Sequence, residues 1–456
     1  MQWLTILPPV VAIAIVLWKK EVILALFLAI LTSEILLNLT QDFSLFHGGI
    51  GAIERIVNVF ASAGNSRILI FSLLIGAVLA FMRHSGGVTA MVEYIVDKGL
   101  GKTPRQSAFI ANLTGMMIFI ESNLCVLTAG ILSRGLFDKH KMSRATLAFI
   151  IDSTAAPICI LVLLNGWGAF VLGLLSNYEF ELSAAEILWG TVALNFYPII
   201  AILMVWYTAF TGKLHGPLAR SQNTNMPDIG QQPQHAPTKA RYMLLPLLVL
   251  VGGMIGFMFW TGNGVLADGS GSKSVLYATV LAALVAYVLM LSSKQFSHKQ
   301  LVTIGFNGMS ELLPLVTIVL FSLALGASLK QLGTGVFIAQ LVGDNLPLFL
   351  IAPMLFFVGA IIAFSTGTSW GTFAILIPIG VPLIQSLGLP PSLIIAAILG
   401  GGVFGDHCSP ISDTTAVSAL ASGCDLLEHV KTQLPYALFG GTVTIIAYTL
   451  YGLMLL

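Results

Sequence analysis

Four clusters of polar residues lie inside otherwise apolar stretches of this chain. They are Glu121-Ser122-Asn123; Asp152-Ser153-Thr154, followed by Pro157; Ser365-Thr366-Gly367-Thr368-Ser369; and Gly405-Asp406-His407-Cys408-Ser409-Pro410-Ile411-Ser412-Asp413-Thr414. Carboxylates, hydroxyls and amide oxygens form a hard-oxygen donor set, which suits Na⁺ better than a soft metal. Asp152, Asp406 and Asp413 are the candidate Na⁺ ligands, and any of them could carry H⁺ instead. No cofactor is expected; Na⁺ or H⁺ is the ion these carboxylates would hold. An Asp at the centre of a membrane helix disfavours insertion by roughly 2.5–3.5 kcal/mol, so such residues need a reason to be there. Pro157 and Pro410 each remove an amide donor and oppose continuous helix. A broken helix offers free carbonyls to a cation and free amides to an anion.

Each cluster also has a plainer reading. Ser and Thr in membrane helices commonly bond the carbonyl one turn back. Glu121 could cap a hairpin tip, and one of Asp406 and Asp413 could cap a half-helix. His407 reads as a proton carrier or as a hydrogen-bonded neighbour of Asp406. Trp167 and Trp370 read as packing or gate lids. Asp152 has no basic residue nearby in sequence, Arg144 being about two turns away. Enzyme readings fail on spacing. His407-Cys408 has no H-x-x-x-H or C-x-x-C partner, and Val403-Phe404-Gly405-Asp406 lacks the first Gly of an intramembrane aspartyl protease motif.

The elements that carry these residues must lie in a membrane. Of 456 residues, 57% are hydrophobic and only 9% charged, against roughly 25% charged in a soluble domain. A net charge of +1 makes no field for nucleic acid. Cys125, Cys159, Cys408 and Cys424 read as small buried thiols. Apolar runs of spanning length fall at 3–18, 21–39, 67–83, 144–175, 185–210, 242–262, 274–292, 311–329, 391–422 and 431–456. The first of these lacks the features of a cleavable signal and reads as a retained span. Shorter amphipathic pieces at 50–62 and 88–97 suit the interface. Pro217, Pro227, Pro233 and Pro237 mark 211–241 as a linker.

Basic residues orient the spans. Region 105–134 has basic clusters on both sides: Arg83, Lys98, Lys102 and Arg105 before it, then Arg134, Lys139, Lys141 and Arg144. It therefore predicts a re-entrant hairpin entering from the cytoplasm. Between Lys330 and Lys431 there is no Lys or Arg, so 346–388 predicts a second hairpin entering from outside. The expected fold is an all-α polytopic membrane protein of two inverted-topology repeats, with about ten crossings and two hairpins. Residues 1–210 form the first repeat, with hairpin 105–134 and broken helix 144–175. Residues 211–241 form a cytoplasmic linker, and 242–456 form the second repeat, with hairpin 346–388 and broken helix 391–422. Inverted repeats with discontinuous helices are a signature of secondary transporters.

The motifs at 151–157, 365–372 and 405–415, with His429-Val430-Lys431-Thr432-Gln433-Leu434-Pro435-Tyr436-Ala437 after them, resemble the NhaC-type Na⁺/H⁺ antiporter family of the ion transporter superfamily. The resemblance runs over most of the chain from about residue 67. It implies a scaffold and a mobile transport domain moving as an elevator, a homodimer, a bacterial inner membrane, and membrane lipid and a small ion or solute as the only partners. It departs at the first hairpin tip, where Glu121-Ser122-Asn123 carries one acid and family antiporters carry two. Two functions follow as expectations. One is Na⁺/H⁺ exchange at Asp152 or Asp406. The other is Na⁺- or H⁺-coupled transport of a small organic solute such as an amino acid or carboxylate, gripped by Ser365 to Thr368 and Ser122-Asn123.

Overall fold

A computed structural model describes residues 2–38, 45–87, 90, 102–119, 121–221, 238–265 and 269–455. All regular structure among them is helical. The expected amphipathic piece at 88–97 and the middle of the linker fall outside the described residues. Among the described residues ten helices are long and apolar enough to cross a membrane, so this is a multi-pass membrane protein. The number meets the expectation but the membership differs. Both arms of the second hairpin are in the ten, whereas the first two helices fall below spanning length.

The chain opens with a helical pair, α1 (Leu7–Lys19) and α2 (Val22–Asn38), turned at Lys20 with φ 58°. The amphipathic α3 (Leu45–Asn58) and the span α4 (Ala63–His84) follow. Then come the first hairpin, α5 (Pro104–Met117) and α6 (Ser122–Lys139), and a broken pair, α7 (Arg144–Val162) and α8 (Gly166–Leu175). Helices α9 (Ala184–Leu194) and α10 (Phe196–Thr211), then the short α11 (Gly216–Arg220), lead to the linker. After it the same order returns. A helical pair, α12 (Arg241–Thr261) and α13 (Gly271–Ser292), precedes the amphipathic α14 (His298–Glu311) and the span α15 (Leu313–Leu332). Helix α16 (Thr334–Asn345) then leads to the second hairpin, α17 (Ile351–Thr366) and α18 (Ser369–Leu387). A second broken pair, α19 (Pro391–Cys408) and α20 (Asp413–Ser422), and the long α21 (Leu426–Leu455) close the chain.

Two expectations about helix breaks need correction. Helix α7 runs through Pro157 and stops at Val162. Proline costs one amide and a steric push against the preceding turn, which a packed helix can absorb as a bend. The stop comes where Leu163 takes the left-handed φ of 57° and Asn165 starts a new helix. The segment 185–210, read as one span, is itself interrupted at Asn195. Pro410 lies, as expected, in the gap between α19 and α20.

Packing brings the pieces together crosswise. The first hairpin lies on α7, and α20 from the other half packs against both α6 and α7. The second hairpin lies on α19, and α8 from the first half packs against α18. Helices α4 and α15 pack on each other and both touch α8.

Candidate functional site

Each hairpin tip is fastened to the gap in its own broken pair. In the first half Asn165 does this. Its Oδ1 accepts from the amides of Trp167 (2.9 Å) and Gly168 (3.1 Å), capping α8. Its Nδ2 donates to the carbonyls of Phe119 at the tip (2.8 Å) and Cys159 (2.7 Å). In the second half Ser409 Oγ donates to the Phe364 carbonyl at 2.7 Å. The tip turns at Gly367, φ 68°, where a Cβ would stand 2.4 Å from the Ile411 carbonyl oxygen. Only glycine fits that turn and that approach.

The two halves then meet. Asn123 Nδ2, at the start of α6, donates to Asp413 Oδ2 at 3.3 Å. The rings of Trp167 and Trp370 lie 5.1 Å apart, and Phe170 stands 5.1 Å from Trp370. Between these contacts and the helices α4 and α15 lies a cavity of about 290 Å³. Glu121, Asn123, Thr368 and Asp413 supply its polar wall. Trp167, Phe170, Trp370 and Phe71 supply its aromatic wall. Glu311 also lines it, and both Glu311 oxygens accept from Arg83 Nη2 at 2.6 and 2.8 Å in a solvent-exposed pair.

A second cavity, of about 370 Å³, lies along the same seam one to two turns away. It takes Asn65 from α4, Ser322 and Gly326 from α15, and Tyr178 beyond the end of α8. The residues between the two cavities include Ile68 and Val319, which are fully packed. A Cβ on Gly173 would press into Ile68 at 2.8 Å.

The sequence-predicted residues divide into three groups. Glu121, Asn123, Thr368 and Asp413 face the cavity. Glu121 also caps α6, its two oxygens accepting from the amides of Asn123 (2.9 Å) and Leu124 (2.6 Å). Asp406 and Ser369 lie one layer behind: Ser369 Oγ donates to Asp406 Oδ2 at 2.9 Å, and Asp406 Oδ1 has no partner among the described residues. The rest serve the backbone or pack. Thr366 donates to the Ile362 carbonyl and Thr154 to that of Ile150. Ser412 caps α20 and bonds Thr414. Asp413 Oδ1 accepts from the Thr414 amide at 2.9 Å. Ser122 and Ser153 are buried, and Gly367 and Ser365 belong to the tip.

Asp152 lies apart from the cavity residues. It is completely buried and does not line the cavity. Its Oδ2 accepts from Gln433 Nε2 (2.6 Å) and Thr415 Oγ1 (3.3 Å), and His429 Nε2 lies 3.2 Å away. The basic partner missing from its sequence neighbourhood thus comes from α21, 277 residues on. Gln433 Nε2 also donates to the His407 carbonyl at 3.0 Å. His407 pairs through Nδ1 with the Tyr197 hydroxyl at 2.9 Å, not with Asp406. His429 and Gln433, four apart and so on one helix face, were the readable signal for this network.

Helices broken at mid-chain, hairpin tips meeting those breaks and a cavity with carboxylates on a largely apolar lining are the features of a secondary transporter. The chain belongs to the Na⁺/H⁺ antiporter family, whose model matches residues 158–453. An uncharacterised protein of Haemophilus influenzae is 30% identical over 98% of this chain and 90% of its own length. The Bacillus subtilis malate-2H(+)/Na(+)-lactate antiporter is 36% identical, over 24% of this chain and 22% of its own. The solved Alcanivorax borkumensis YdaH transporter superposes with a TM-score of 0.62 at 15% identity, covering 89% of this chain and 88% of that one, a likeness of fold.

Proposed function

We propose that this transporter couples the movement of a small organic solute to Na⁺ or H⁺, with the solute in the 290 Å³ cavity. The cavity carries this reading. A water molecule's share of liquid is about 30 Å³, so the space holds roughly ten waters' worth, far more than a bare cation needs. Asp413 on the wall, and Asp406 behind it with a free Oδ1, are the carboxylates for the coupling ion. Asp152 is the charged post of the buried network instead. The relative named for malate and lactate exchange supports a solute-carrying role. Na⁺/H⁺ exchange without solute is the second reading, favoured by the oxygens of Asp406 and Asp152 that have no partner among the described residues.

In this reading the repeated element order reflects two halves of opposite orientation. The cavity opens to the cytoplasm beside Arg83, by the positive-inside rule. The cavity beside Asn65 and Tyr178 is the outward end of the same path. The hairpins and broken pairs move as one body against α4 and α15 in elevator fashion. The protein sits as a homodimer in a bacterial inner membrane. Liposomes holding a pH dye test the function. Proton movement on adding Na⁺ alone supports pure exchange. Silence with Na⁺ alone, together with solute-dependent Na⁺ or H⁺ flux, supports the proposal.

A further inference from the structure

The geometry points to the class of solute: a small organic ammonium. This rests on the solute-transport reading above and narrows it. Among the described residues lining the cavity there are three carboxylates and no Lys, Arg or His. Glu311 is neutralised by Arg83, which holds both its oxygens. Glu121 and Asp413 remain, held only by neutral donors, namely the Asn123 and Leu124 amides, the Asn123 side chain and the Thr414 amide. Each such carboxylate has about four acceptor sites, so each retains capacity toward the cavity.

The aromatic residues of the lining complete the recognition. Trp167, Phe170 and Trp370 cluster within ring-contact distance of one another. Aromatic faces attract a cation through the ring quadrupole, tryptophan most strongly. Trp167 is 2% exposed and its Nε1 donor has no partner among the described residues. A carboxylate without an amine would meet Glu121 and Asp413 on the wall, and Arg83 is already held by Glu311. An inorganic cation alone would leave the half-buried ring of Trp370, backed by Trp167 and Phe170, unused.

The test is binding to the purified full-length transporter in detergent, by calorimetry at fixed Na⁺. The probes are methylamine, putrescine and choline, with acetate, malate and urea as controls. Saturable binding of the amines and none of the controls is expected. Trp370→Leu should weaken amine binding by about 2- to 30-fold, the span of a cation–π contact, and Trp370→Phe by less. Asp413→Asn should abolish it. Thermal unfolding of each variant separates lost binding from lost fold. Binding of acetate or malate in preference to the amines overturns the ammonium assignment while leaving solute transport standing. Binding of none of the six probes, with Na⁺-driven proton flux in solute-free liposomes, overturns both.

Discussion

Replacing Gly367 by Ala tests whether the contact between hairpin tip and helix break sets the geometry of the site. Gly367 has φ 68°, and a methyl there would stand 2.4 Å from the Ile411 carbonyl oxygen and 3.0 Å from the Ser412 nitrogen. The left-handed backbone alone costs an L-residue about 1–2 kcal/mol. Overpacking adds about 1–3 kcal/mol. Relief requires the tip and the break to part by about 1 Å to reach ordinary contact, which moves Thr368 and the cap of α20 together with Asp413. Misplacement on that scale can cost about 100-fold in rate. Gly388, φ 63°, is the internal control, because nothing lies within 4 Å of its missing Cβ. Gly388→Ala should lose only the backbone term and transport normally. Gly367→Ala should lose about 2–5 kcal/mol and about two orders of magnitude in transport. Thermal unfolding and liposome flux read the two quantities. Equal behaviour of the two variants would refute the reasoning.

Asp413→Asn and Asp406→Asn should each abolish coupled flux while the protein remains folded, since an amide can still accept from Asn123 or Ser369; wild-type flux in either removes that carboxylate from the coupling site. Gln433→Ala strips the shortest bond from buried Asp152 and should cost about 1.5–3 kcal/mol, measured by thermal unfolding. Glu311→Gln breaks an exposed ion pair, so stability should change by no more than about 1 kcal/mol. Gly173→Leu should jam the seam against Ile68 and slow flux without weakening solute binding, which parallel binding and uptake measurements resolve.

The sequence conveyed the membrane architecture because cost is legible there. Asp406, Asp413 and Thr368 stood out as polar groups in apolar surroundings, and the two hairpins announced themselves by where basic residues were and were not. What escaped it depends on contacts distant in the chain. Whether Asp152 faces a cavity or a histidine is decided by α21, and nothing within ten residues of it says so. Pro157 suggested a break because proline is a local signal. The actual stop at Leu163 has no local signature beyond the Asn165 cap. Glu121 shows the opposite case, where capping and cavity lining are served by one side chain.

In the proposed reading, where the two cavities are the ends of one path, their closeness sets how membrane voltage would act on this protein. On α4 one cavity reaches Asn65 and the other begins at Phe71, six residues or about 9 Å along a helix, against about 30 Å of hydrocarbon. Where water fills both ends, the electric field concentrates in that short dielectric septum. A charge carried past Ile68 and Val319 would then sense most of the transmembrane potential, about 2.3 kcal/mol per elementary charge per 100 mV, within two turns of helix.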